Sequence, residues 1–177
     1  PLLFLKQFFF LLANIFRTKI IICQFSAYHS FLPALFGKLT GKKVFIVSGG
    51  NDAVSFPSIG YGNFNKPVLK SFTAWSYRLA SVIVPKHESL WLTDYSYSEN
   101  DPARQGIAAF VPGLKCPHVT ITNGYDGSKF RKTVPKVKGT FLTVTGAMNY
   151  SFQKHLKGID LILQIAPSFP ECTFTII

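Results

Sequence analysis

The feature that most constrains this chain is an alternation: short runs of β-branched and apolar residues recur along it, separated by segments whose apolar residues return at helical spacing. Residues 18–25 (TKIIICQF) and 43–48 (KVFIVS) are apolar almost throughout, as strands buried on both faces of a parallel sheet are. Between them, residues 29–40 place Leu32, Leu35, Phe36 and Leu39 on one helical face, and Gly41 stands where that helix would stop. Pro67 suits the first turn of a second helix, along which Val68, Phe72, Trp75 and Leu79 share a face. Further strands are predicted at 81–85, 118–122, 140–145 and 173–177, and further helices at about 86–95 and 156–166, with 96–117 irregular.

Strand and helix in this rhythm imply an α/β fold on doubly wound parallel sheets, Rossmann-like in character. Residues 123–139 (NGYDGSKFRKTVPKVKG) combine turn formers with basic residues and little apolar content, the composition of a linker. Two such domains are therefore expected: residues 1–130 as most of the first and 131–177 as the start of the second. Pro1 at one end and a strand that stops at the other lead us to expect both domains to be incomplete. Open sheets of this kind bind ligands beyond the carboxyl ends of their strands.

Two loops at predicted carboxyl ends stand out. In the first, Gly49, Gly50 and Asn51 would let a ligand approach the backbone, and Asp52 offers an acceptor or base; a tight turn capped by Asn or Asp is the competing reading. The second runs from Gly146 to Lys157 and into a helix at Gly158, Ile159 and Asp160. A helix start with nearby lysines suits an anion, because free N–H groups and the helix dipole both favour phosphate; otherwise Lys154 and Lys157 are solvated surface charges. His29 opens the helix after the first strand, where a capping or packing role competes with a catalytic one. His87, His118 and His155 have no mutual spacing suited to a metal. No dinucleotide fingerprint, Walker loop, nucleophile elbow or zinc-protease helix occurs.

A net charge of +11 implies long-range attraction to polyanions: nucleic acid, anionic lipid or phosphorylated small molecules. The basic residues are scattered rather than gathered into a nucleic-acid motif. The three cysteines, Cys23, Cys116 and Cys172, lack zinc spacing and read as reduced thiols of a cytosolic protein. Residues 2–16 are strongly apolar, but Lys6, Gln7 and Asn14 interrupt them and the run falls short of the roughly 20 residues that span a bilayer. A buried or membrane-apposed helix is expected there.

Four patches in order resemble the glycosyltransferases grouped as family 4 (group 1), of the two-domain GT-B kind: Tyr28-His29 with Leu32-Pro33; Gly50-Asn51-Asp52; Asn123-Gly124-Tyr125-Asp126 followed by Phe130; and Lys157-Gly158-Ile159-Asp160. The third is similar to that family's segment at the join between domains, the fourth to its donor-binding helix. The aromatic loop 54–64 resembles a bacterial envelope-polysaccharide subset. The resemblance implies transfer of a sugar from a nucleotide-sugar donor, such as a UDP- or GDP-sugar, to a glycan or lipid-linked acceptor, with retained configuration and no metal cofactor. It implies donor contacts at Gly146, Lys154, Lys157 and Gly158, acceptor contacts at Gly49, Gly50 and Asn51, and reacting-centre roles for Asp52 and His29. The sequence departs from the family at Gly49, where many members have His, and at Ala147, where they have Arg. The family's paired glutamates have no counterpart in the chain, so this piece alone is expected to be inactive. A cytoplasmic enzyme in peripheral contact with an anionic membrane, without a nucleic-acid partner, is expected. The alternative is a non-catalytic basic α/β module that binds nucleic acid or another polyanion.

Overall fold

The computed structural model describes residues 2–130, 134–146 and 151–177, with side chains from 154 onward in the last stretch. Ala147 and the loop around it lie outside the described residues. The chain divides into two compact units, Pro1–Asn123 and Gly124–Ile177.

The first unit begins with helix α1 (Leu2–Asn14) and strand β1 (Ile20–Gln24), followed by helix α2 (Tyr28–Leu39) and strand β2 (Lys43–Ser48). Helix α3 (Pro67–Leu79) leads to strand β3 (Val82–Pro85). The three strands form a parallel sheet in the order β1-β2-β3, with Ile22 opposite Phe45 and Ile46 opposite Ile83. The predicted strand at 118–122 extends this sheet. Val119 N–H donates to the Ile83 carbonyl at 3.0 Å and Ile121 N–H to the Pro85 carbonyl at 3.0 Å, in parallel register.

The core lies between the sheet and α2, with α3 packed along α2. Ile21 and Cys23, Val44 and Ile46, and Ile83 meet Leu32, Ala34, Phe36, Ala74 and Tyr77. Fully burying a side chain of Leu or Ile size contributes roughly 1.5–3 kcal/mol. Gly37 of α2 lies against Val44 and Ile21, so a Cβ there would run into their side chains. Burial pushes the Cys23 thiol up to about 11.

Two expectations need correction. β1 is buried on one face only: Ile21 and Cys23 point inward, while Ile20 and Ile22 are exposed. Among the described residues, no helix covers that second face. Along α3, whose apolar residues are expected to share a face, Thr73, Ala74, Ser76 and Tyr77 are buried, Phe72 and Leu79 half-buried, and Val68 and Trp75 exposed. The predicted helix at 86–95 is a single tight turn, Glu88–Leu90, followed by strand β4 (Thr93–Asp94), which pairs antiparallel with β5 (Arg104–Gln105). The Trp91 carbonyl is taken by Ala108 N–H of the short helix α4 (Ile107–Phe110), and the Trp91 ring stacks on His118 at 3.8 Å. These long-range contacts outweigh local helix propensity.

The second unit pairs strand β6 (Thr140–Thr143) with β7 (Thr173–Ile176) in parallel. Between them lie α5 (Ser151–Leu156) and α6 (Ile159–Ile165), where the sequence pattern predicts one continuous helix over 156–166. The break falls at Gly158, which adopts a left-handed conformation (φ 64°) that a helix interior does not accept.

Candidate functional site

The carboxyl ends of β1, β2 and β3 bring Phe25–Ser26, Gly49–Asp52 and Lys86 together, as an open parallel sheet requires of its loops. Val47 accepts from Phe25 N–H at 2.8 Å, and Ser48 accepts from Lys86 N–H at 3.1 Å, so the three loops leave the sheet edge side by side.

Beneath them lies a buried polar knot centred on Asp52, which is 1 % exposed. One carboxylate oxygen accepts from Ser26 N–H (2.8 Å) and the Tyr77 hydroxyl (2.8 Å). The other accepts from the Ser48 hydroxyl (3.1 Å), Gly49 N–H (3.1 Å) and Gly50 N–H (3.2 Å). Burying a carboxylate costs several kcal/mol unless such donors surround it. The Tyr77 hydroxyl is held well above the usual tyrosine range by burial and by the Asp52 charge; Tyr61 is raised for the same two reasons. Asn63 joins the knot, its amide donating to the Ser26 carbonyl (2.8 Å) and the Thr73 hydroxyl (3.2 Å) and accepting from the Asn51 amide (3.0 Å). Asn51 in turn accepts from Gly62 N–H (3.1 Å).

This geometry assigns the sequence-predicted residues unequal parts. Asp52 is sealed from solvent with both oxygens occupied, so it shapes the loop rather than serving as an open base. The N–H groups of Gly49 and Gly50 turn inward to Asp52, not outward to a ligand. What the loop presents outward is the exposed backbone of Gly49, where a Cβ would run into the Phe25 ring. His29 is exposed. Its Nε2 lies 2.9 Å from the Gln24 carbonyl, and with Nε2 donating there the neutral ring keeps its lone pair on Nδ1.

Two residues that the sequence reading missed complete this edge. Phe25 has φ 66°, a left-handed conformation that costs a bulky residue on the order of 1–3 kcal/mol and clusters at functional sites. The Lys86 ammonium stands over the Phe25 ring, 5.2 Å from its centre, within cation–π range. No local sequence signal marks either; both follow from strand register, which sets which residue leaves each strand at the shared edge.

In the second unit, Lys154 and Lys157 are exposed, and Lys157 and Gly158 form the turn between α5 and α6. Asp160, in the first turn of α6, lies 2.9 Å from His155 Nδ1, and that hydrogen bond holds its carboxyl below the usual range. Gly146 ends the described part of the loop after β6, with nothing near its Cα that a side chain would meet. Among the described residues, no cluster of three or more His, Cys, Asp or Glu could hold a metal ion.

The chain matches no protein-family model, no curated protein and no solved structure.

Proposed function

We propose that this protein is a glycosyltransferase of the GT-B kind, with two doubly wound α/β domains, which moves a sugar from a nucleotide-sugar to a glycan or lipid-linked acceptor, with retention, in cell-envelope synthesis. The observation that carries this reading is the parallel sheet edge at which Phe25, Gly49 and Lys86 meet outward over a knot that cannot itself react, with His29 held to the last residue of β1. An aromatic face, a bare glycine backbone and a fixed cation suit an acceptor carrying hydroxyl groups and negative charge. His29, through Nδ1, would orient or deprotonate an acceptor hydroxyl, and Asp52 would hold the glycine loop in shape. Lys154 and Lys157 would neutralise the leaving diphosphate, a task positive side chains perform without a metal. The division of the chain between Asn123 and Gly124 falls within the Asn-Gly-Tyr-Asp patch, which further supports a two-domain enzyme.

One observation favours the polyanion alternative. At the opposite, amino end of the sheet, Lys38, Lys43, Arg78 and Lys115 border a depression of about 540 Å³ with no acidic side chain in its lining. A concave surface of one sign concentrates counter-ions.

Calorimetric titration with UDP- and GDP-sugars, with nucleic acid beside them, separates the two. A sugar nucleotide should bind, and Lys157→Ala should weaken it about tenfold or more, as expected for a lost charge-assisted contact of roughly 1.5–3 kcal/mol. Nucleic-acid binding with steep salt dependence and no sugar-nucleotide binding would overturn the transferase reading.

A further inference from the structure

We propose that Tyr61, Phe56, Tyr95 and Tyr97 form a row of subsites for an uncharged oligosaccharide, leading from the glycine loop onto the β4–β5 hairpin. The inference deepens the transferase reading and rests on it only in making that saccharide the acceptor.

The row is continuous. The Tyr61 hydroxyl stands 3.7 Å from where a Cβ on Gly50 would lie. From there the ring centres of Tyr61 and Phe56 are 6.4 Å apart, with their planes nearly parallel. Phe56 and Tyr95 follow at 4.7 Å, and Tyr95 and Tyr97 at 6.4 Å. Tyr61, Phe56 and Tyr95 are half-buried and Tyr97 is 63 % exposed. Each step is comparable to the length of a pyranose ring. The C–H bonds on one face of a pyranose are apolar and weakly positive, which complements the negative face of an aromatic ring, while tyrosine hydroxyls remain to meet the sugar hydroxyls.

The rings sit on a braced support. Phe56 N–H donates to the Tyr61 carbonyl at 2.7 Å and Tyr61 N–H to the Phe56 carbonyl at 3.0 Å, so the first two rings share a short antiparallel pair. Tyr95 N–H donates to the Ala103 carbonyl at 2.8 Å, continuing the β4–β5 ladder. Two buried side chains tie loop and hairpin together. Gln105 accepts from Ser55 N–H and donates to the Ser55 carbonyl, both at 2.9 Å. Asp101 accepts from Ser58 N–H at 2.9 Å and from the Ser58 hydroxyl at 2.6 Å. Rings fixed in this way lose little conformational freedom when a ligand binds.

Charge selects the occupant. In a chain of net charge +11, no Lys or Arg stands between Lys86 and Arg104, whereas Asp94 and Glu99 flank Tyr95 and Tyr97, and Asp101 follows. The one cation of β5, Arg104, lies 3.4 Å from Asp94. Burial and, after it, the nearby Asp101 charge hold the Tyr95 hydroxyl above its usual range; at the other end of the row burial and the Asp52 charge do the same to Tyr61. A polyanion laid along these rings would meet charge of its own sign. An uncharged saccharide meets no such penalty, and any negative charge on the acceptor is then confined to the end that reaches Lys86.

The test is ligand-observed NMR and calorimetry with cello-, chito-, malto- and mannopentaose, beside an oligogalacturonate pentamer as the anionic counterpart and pentalysine as a basic one. One or more of the neutral saccharides should bind, with saturation passing to its C–H protons, and oligogalacturonate should bind at least about tenfold more weakly. Tyr97→Ala should lower the affinity about tenfold, whereas Tyr97→Phe, which keeps the ring face, should retain most of it. Because Tyr97 is exposed, the urea curves of both variants should overlay that of the wild type. The proposal is overturned if no neutral saccharide binds, if oligogalacturonate binds best, or if Tyr97→Ala binds as the wild type does. Pentalysine binding that is lost in Tyr97→Ala, without saccharide binding, assigns the row to a basic protein segment instead. All of these are measured without sugar nucleotide, so their failure strikes this inference alone, whereas saccharide binding without any sugar-nucleotide binding keeps the row and strikes the transferase reading.

Discussion

In the sequence, the Asp52 loop of the first unit resembles the Lys157 turn of the other: each sets a glycine beside charged residues after a predicted strand. In three dimensions they are opposites. The Asp52 carboxylate is buried and hydrogen-bonded to groups from the loop after β1, β2, the glycine loop and α3, whereas Lys154 stands exposed on α5 and Lys157 on the turn that follows it. The first is a charge used to build a surface, the other a charge left on a surface. A glycine next to a carboxylate is therefore no measure of reactivity; burial and the direction of the N–H groups decide it.

The largest test of that contrast is Asp52→Ala. It strands the Ser26, Gly49 and Gly50 N–H groups and the hydroxyls of Ser48 and Tyr77, each a buried or half-buried donor. A loss of about 3–5 kcal/mol in unfolding free energy is expected, read as a lower urea midpoint. A near-neutral effect would return Asp52 to the role of an open catalytic carboxylate.

Tyr77→Phe is the next step down. It removes one donor, at 2.8 Å from Asp52, and keeps the ring that fills the core, so about 1–2 kcal/mol is expected. The same hydroxyl predicts an alkaline limit. A group whose folded pKa lies above its unfolded value stabilises the fold fully below the unfolded pKa and loses that contribution as pH rises toward the folded one. For Cys23, raised from 9.0 to about 11 by burial, the loss begins near pH 9; for Tyr77, raised from 10.0, it begins near pH 10 and continues above. Urea midpoints should fall from pH 9 upward, less steeply in Cys23→Val and less steeply above pH 10 in Tyr77→Phe.

These residues also show what was legible in the sequence. β2 matches its predicted bounds, 43–48, because a run of β-branched residues ended by a Gly pair permits little else. The helix starting at Pro67 was equally plain, but its orientation was not. Periodicity marks Phe72 and Trp75 as one face without saying that Thr73, Ser76 and Tyr77 would be drawn inward by partners up to 47 residues away: the Thr73 carbonyl by Ser26, the Ser76 hydroxyl by Ser30, the Tyr77 hydroxyl by Asp52. Asp52 stands out because it follows two glycines, yet its burial is not legible locally, since the donors that close over one of its oxygens, Ser26 N–H and the Tyr77 hydroxyl, lie 26 and 25 residues away. Phe25 and Lys86 were invisible for a related reason: they matter through strand register at a common edge.

The smallest structural effect belongs to Lys157→Ala, and it sharpens the comparison most. An exposed lysine on a turn should change unfolding free energy by less than about 0.5 kcal/mol when truncated, so the variant's urea curve should overlay that of the wild type. If the transferase reading holds, the same variant loses about tenfold in sugar-nucleotide affinity. Asp52→Asn should show the reverse: it keeps the shape but turns one acceptor oxygen into a donor, lowering stability while leaving the affinity of the remaining folded protein for the nucleotide near wild type. Stability lost at one glycine loop and affinity lost at the other would separate a built surface from a binding one. Equal losses of both in both variants would mean that the two units fold and bind as one body, and the contrast between the loops would collapse.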